Sequence, residues 1–326
     1  MTRRSRGLKI RILSVVTISM LFITAFSTVA KATTYYSTFT KGTEFFQVTT
    51  YNEVDWQTTV STDYNPSDWF GGEASITGAQ SKFTTMGWTS ATWETYDFLL
   101  SFFLTNSSAA NALIILDQNG YNETEINNKY NNTCPLTSGM RSEWYFVSGG
   151  FNESHNSAID MPLILDNPAN YKKILDDYNN LAHEIQLDDF GIIFNPIVKP
   201  FFQNMTADDF LWQIAFNDLA MGTPISTYIQ ELVDTLGCEN ASYSGNTLII
   251  ERTGESNYTV EMTYGAQGTL ISFVVKDPAG TIIYQFISIG NTNWIVYIIV
   301  GLIIGFFSVL IAFLLYKKRR FNKKYR

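Results

Sequence analysis

The sequence predicts an α+β domain, an antiparallel β-sheet or meander packed on amphipathic helices, followed by one C-terminal transmembrane helix. Three observations carry this. Four short period-two segments separated by turn residues lie between Thr247 and Ser288. Three stretches with apolar residues at helical spacing lie between Asn167 and Leu236. The 23 residues Trp294–Tyr316 contain no charge.

Residues 1–32 have the layout of a secretory signal. Arg3, Arg4, Arg6, Lys9 and Arg11 precede the apolar run Ile12–Val29, and Ala30-Lys31-Ala32 fits a small-x-small cleavage pattern. An uncleaved signal anchor is the alternative, and it leaves the topology of the rest unchanged.

Residues 33–293 follow as one extracellular α+β domain, β-rich over 33–160. Thr43–Trp56 is rich in aromatic and Thr residues with period-two alternation, so it reads as a strand. Further strands are expected at Ala79–Trp88, Ala112–Leu116 and Glu143–Ser148. Thr92–Leu104 reads equally as a strand or a buried helix.

The helical part spans 167–236. Asn167 caps and Pro168 opens a helix whose Tyr171, Ile174, Leu175, Tyr178, Leu181, Ala182 and Ile185 share a face. Lys172/Asp176 and Lys173/Asp177 are i,i+4 pairs on its surface. A second helix is expected from Thr206, with Asp209 three residues on, to Met221-Gly222. A third has Thr223 as cap, Pro224 as first residue and Gly237 as stop. The meander 247–288 then comprises Thr247–Arg252, Tyr258–Tyr264, Thr269–Lys276 and Thr281–Ser288.

Trp294–Tyr316 makes a helix of roughly 34 Å, enough to cross a hydrocarbon core of about 30 Å. Trp294, Tyr297 and Tyr316 sit at its ends, and the basic tail 317–326 marks the cytoplasmic side. Gly301 and Gly305 form a Gly-x-x-x-Gly continued by Ser308 and Ala312, a small-residue line along which two such helices pack closely in lipid. The expected partners are therefore the bilayer and a second copy of this chain through the span. Only five residues separate Ser288 from Trp294, so the domain sits close to the membrane.

Charge follows the same division. Between Thr33 and Asn293, nine Lys and Arg against 30 Asp and Glu give −21. Such a surface repels nucleic acid, which is excluded as a partner. The only cysteines, Cys134 and Cys238, are expected to form one disulfide outside the cell. Seven glycosylation sequons are present, at Asn106, Asn122, Asn131, Asn152, Asn204, Asn240 and Asn257. With 24 Asn in the region, chance alone gives about five, so their position says more than their number.

No catalytic constellation appears. His183 in "AHEIQ" lacks the second histidine of a zinc protease helix, and no nucleophile elbow, P-loop or dinucleotide fingerprint is present. No cofactor is implied beyond calcium, for which Asp117 and Asn119 in "DQNGYNETE" are the candidates, a plain hairpin turn being the alternative reading. Trp69 in "NPSDWFGGE" reads as an aromatic on a loop tip and a candidate ligand contact.

In layout, and in "KGTEFFQVTTYN", "MPLILDNPANYKKIL" and "YTVEMTYGAQGTLISFVVKDPAG", the chain resembles archaeal-type single-pass cell-surface proteins with a signal peptide and a C-terminal span. The resemblance implies an architecture and no activity. The expected function is a surface domain for binding, adhesion or surface structure, with a surface glycan or protein as ligand. The alternative is a membrane-anchored, carboxylate-based hydrolase acting on glycans.

Overall fold

The computed structural model describes residues 35–36, 41–89, 96, 122–130, 138–152, 157–187, 199, 202–217 and 219–290. The chain divides into two units, Met1–Tyr35 and Tyr36–Arg326, and every element below belongs to the second. Among the described residues no helix is long and apolar enough to cross a membrane; 294–316, with Gly301, Gly305, Ser308 and Ala312, lies outside them.

Nine strands form one antiparallel sheet: β1 Gly42–Tyr51, β2 Gln80–Thr89, β3 Ser138–Val147, β4 Ala158–Ile164, β5 Ala241–Ser244, β6 Thr247–Thr253, β7 Asn257–Tyr264, β8 Leu270–Lys276 and β9 Ile282–Ser288. Their order is β4-β3-β2-β1-β9-β8-β7-β6-β5. Two meanders, β1–β4 and β5–β9, are thus joined where β1 pairs with β9. Phe46 lies opposite Ser288 and Val48 opposite Phe286.

Six helices are described: α1 Glu53–Thr59, α2 Pro66–Phe70, α3 Glu123–Tyr130, α4 Pro168–Gln186, α5 Ala207–Phe216 and α6 Ile225–Leu236. On α4, Tyr171, Ile174, Leu175, Tyr178, Leu181, Ala182 and Ile185 are all buried, and Asn167 caps it by accepting from the Ala169 N–H. Lys172 pairs with Asp176, while Asp177 meets Lys129 of α3 at 2.8 Å. His183 is exposed, as its place opposite the apolar face requires. The α6 face Ile225, Tyr228, Ile229, Leu232, Val233 and Leu236 is also buried, and Gly237 ends the helix in the left-handed region.

α1, α2, α5 and α6 pack on one face of the sheet, and α4 packs on α6. On β7, Tyr258, Val260, Met262 and Tyr264 are buried in strict alternation. The row Met262, Phe273, Phe286, Val48 crosses four strands in register. Burying such rows supplies the dominant stabilisation, at about 25 cal/mol per Å2 of apolar surface.

Several boundaries differ from expectation. The strand read over 43–56 stops at Tyr51, because Asn52 accepts the Asp55 N–H and starts α1. Asn65-Pro66 and Gly71-Gly72 do not bracket a loop; they bound α2, where Asn65 and Asp68 close a capping box. The end of "DQNGYNETE" opens α3, with the Asn122 side chain accepting from Thr124 and Glu125 N–H groups. α5 stops at Phe216, since both the backbone and side-chain N–H of Asn217 bond the Gln213 carbonyl. α6 begins one residue later than expected, because Thr223 forms a bridge with Tyr36. Strands β4 and β5 were not expected at all. Ala112–Leu116 and Thr92–Leu104, apart from Tyr96, lie outside the described residues.

Candidate functional site

Among the described residues, two concavities of several hundred Å3 can hold a ligand. The first, about 330 Å3, opens on the helix-covered face beside β2 and β3. Phe70, Trp69, Phe83, Phe216, Arg141 and Glu143 are among the side chains lining it.

Strand register sets the charges on the sheet face beside it. Glu44 of β1 lies opposite Phe83 of β2, which lies opposite Glu143 of β3. The two carboxylates therefore flank the Phe83 ring on one face, with Cα atoms about 10 Å apart for strands spaced by about 4.8 Å. Arg141, two residues before Glu143, shares that face. Its guanidinium lies over the Phe83 ring at 4.3 Å and pairs with Glu143, while its side chain is only 5 % exposed. Burial raises the Glu44 carboxyl above its usual range; a hydrogen bond donated by Thr269 Oγ1 at 3.2 Å and the Arg141 charge partly offset this.

Aromatic rings form the walls. Phe70 stacks on Tyr284 at 5.9 Å and meets Phe273 edge-on at 4.9 Å. Trp69 contacts Trp56 at 4.9 Å and Phe216 at 5.4 Å. Tyr145 stands at the rim, its ring packed so closely on Gly71 that a Cβ there would lie 2.3 Å from it. Gly71 has φ +74°, so both space and backbone require glycine. A cavity of about 30 Å3 behind, between Arg141 and Thr269, has room for a water or two.

Chemically, this pocket offers flat apolar rings, a planar donor fork and carboxylate acceptors, with no surplus positive charge. That combination suits a neutral, hydroxyl-rich ligand whose ring stacks on an aromatic wall. Strong anions are disfavoured, because Glu143 already pairs with Arg141.

The second concavity, about 780 Å3, is a polar cleft between the start of α5 and the β6–β7 hairpin. Its carboxylates hold local structure. Asp208 accepts the backbone N–H groups of Asn240 at 2.9 Å and Glu239 at 3.1 Å. Asp209 accepts from the Thr206 hydroxyl at 2.8 Å and from Arg252 at 3.3 Å, and Arg252 lies over the Trp212 ring at 4.9 Å.

Of the residues singled out from the sequence, Trp69 lines the first pocket as a half-buried helix residue, where a loop tip was expected. Asn152, Asn204, Asn240 and Asn257 are exposed, and Asn122 is half-buried at its cap. Asn106, Asn131, Asp117 and Asn119 lie outside the described residues, among which no group of three or more His, Cys, Asp or Glu can hold a metal. Cys238, expected to pair with Cys134, carries a free thiol here, and Cys134 lies outside the described residues. Burial, and then the Asp208 carboxylate, push that thiol up to about 12, which suppresses its thiolate in the folded domain.

The residues missed in the sequence are Glu44, Phe83, Arg141 and Glu143. A signal was present for Glu44: it falls in phase with Phe46 and Val48 on the inward side of an alternating strand. Arg141 precedes the strand expected to begin at Glu143, whereas β3 begins at Ser138.

No protein-family model, curated protein or solved structure matches this chain.

Proposed function

We propose that this chain is a single-pass protein of the cell membrane, with residues 33–293 outside and the basic tail in the cytoplasm, whose acidic outer domain binds a glycan of the cell surface. The observation that carries the binding reading is the pocket itself, with the Trp69, Phe70 and Phe216 rings around the Arg141–Glu143 pair. The uncharged run Trp294–Tyr316 and its basic tail support the membrane address. Purified full chain in detergent, screened on a glycan array with and without calcium, is expected to retain a restricted set of neutral glycans. Replacing the rim residue, Tyr145→Ala, is expected to remove that retention. Selective retention that survives both Tyr145→Ala and Trp69→Phe would move the ligand elsewhere, and no retention at all would leave a structural surface role.

One observation favours the hydrolase alternative. Glu44 has the raised carboxyl that a general acid needs, and Glu143 shares its face across Phe83. Turnover of chromogenic glycosides that is lost in Glu44→Gln while glycan retention persists would establish it. Absence of turnover across the panel retires it.

A further inference from the structure

The sheet has two distinguishable ends. Because Phe46 lies opposite Ser288 in an antiparallel pair, the start of β1 and the finish of β9 share one end. From that end the chain continues, five residues on, into Trp294. Following the strand directions outward, the β6–β7 and β8–β9 turns and the β3–β4 connection all fall at the opposite end.

The exposed sequons gather there. Asn152 lies in the β3–β4 connection, Asn240 immediately precedes β5, and Asn257 opens β7. Three sequons converge on the 780 Å3 cleft at this end: Thr206 of Asn204-Met205-Thr206, Asn240 of Asn240-Ala241-Ser242, and both Asn257 and Thr259 of Asn257-Tyr258-Thr259 line it.

We infer that Asn204, Asn240 and Asn257 carry N-linked glycans that together cover this cleft, making the end of the sheet far from Ser288 a sugar-coated face. The inference rests on the domain lying outside the cell. In each transfer the side-chain Nδ2 forms a bond to the anomeric carbon of a sugar held as a glycosyl diphosphate. The bond from that carbon to the diphosphate oxygen breaks, the diphosphate leaves with the electron pair, and Nδ2 gives up one proton. The local geometry tolerates this. Asn240 Nδ2 donates to Asp208 at 3.3 Å, and since an amide nitrogen has two hydrogens, substitution retains one for that bond. Asn257 accepts from the Thr253 hydroxyl through its carbonyl oxygen at 3.1 Å, a bond that substitution on nitrogen leaves intact. Asp208 of the cleft is engaged in holding α5 to the Glu239–Asn240 loop, and the cleft shares no lining residue with the Arg141 pocket, so a coat there blocks no group of that pocket.

The test uses full chain purified from the membranes of its own cells, with lysine labelling of intact cells run alongside. Glycopeptide mapping is expected to find sugar on Asn204, Asn240 and Asn257, with hydroxyl-radical footprinting weak at the cleft residues Arg252 and Pro278. Changing the three asparagines together to Gln is expected to remove three glycan masses and to restore footprinting at both. Surface-labelled chain with these asparagines unmodified, or with footprinting unchanged in the triple variant, overturns the inference and leaves the surface reading standing. Chain shielded from labelling on intact cells overturns both.

Discussion

Ser256, in the turn between β6 and β7, donates its backbone N–H to the Thr59 carbonyl at the end of α1, at 3.0 Å. The contact joins the two meanders across 197 residues of sequence. Gly254 of the same turn stands so close that a Cβ would lie 2.0 Å from the Val60 carbonyl oxygen. Backbone on both sides leaves nothing flexible to give way. Gly254→Ala is therefore expected to destabilise the domain by about 1–3 kcal/mol, in the range of overpacking substitutions. Urea unfolding should show the midpoint falling with an unchanged slope. An unchanged midpoint would mean that the two meanders do not dock here.

Glu44 provides a pH-dependent contrast. Its carboxyl is raised in the folded state, chiefly by burial, so folding favours its protonated form. The stability it contributes is present in full below the ordinary carboxylate range and is lost as pH rises through the raised value. At neutral pH the half-buried charge is a net cost that Thr269 and Arg141 only partly offset. Glu44→Gln removes that charge and keeps an oxygen to accept from Thr269. The melting temperature of the variant relative to the parent should thus rise between pH 4 and pH 7. A difference that falls over that interval would show that the attraction to Arg141 outweighs burial.

The parts of this fold that were legible in the sequence are those decided locally. The apolar face of α4 follows from 3.6-residue spacing between Tyr171 and Ile185, and the C-terminal meander from turn residues such as Asp277-Pro278-Ala279-Gly280 between alternating strands. The joining of β1 to β9 was not legible, because it pairs Phe46 with Ser288 and nothing local specifies such a partner. The pocket shared that fate. Glu44, Phe83 and Glu143 come together only through the register of three strands, two of them separated in sequence by residues 90–137. Even Trp69 was misplaced for a local reason, since a capped five-residue helix and a loop tip carry the same Asn-Pro and Gly-Gly punctuation.

The aromatic cluster separates a core tryptophan from one that lines the pocket. Trp56 is fully buried, donates its ring N–H to the Tyr64 carbonyl at 2.8 Å, and contacts Tyr51, Trp69 and Tyr284. Trp56→Ala leaves a cavity and strands that carbonyl, so a loss of about 3–5 kcal/mol is expected in thermal or urea unfolding. Trp69→Phe keeps an aromatic ring at the pocket wall and should cost less than about 1.5 kcal/mol, while weakening glycan retention on the array. Equal destabilisation by the two would assign Trp69 to the core alone.

Cys238 follows the left-handed Gly237 that ends α6, half-buried near the Asp208 carboxylate. With its thiol pushed up to about 12, about one molecule in ten thousand carries the thiolate at pH 8. An exposed cysteine, near 8.5, would carry it in about a quarter. Native protein is therefore expected to take up iodoacetamide at Cys238 roughly a thousandfold more slowly than an exposed thiol does. Urea alone, with no reductant, should make it react at the ordinary rate. Asp208→Asn removes the neighbouring negative charge, which lowers the thiol's pKa and should speed the native reaction. The same substitution keeps only one of the two oxygens that accept from the Glu239–Asn240 loop, so the acceleration reports charge only where the urea midpoint of the variant matches that of the parent. If labelling in urea instead requires reductant, the sulfur is bonded, and the bridge to Cys134 expected from the sequence is the arrangement in the isolated protein.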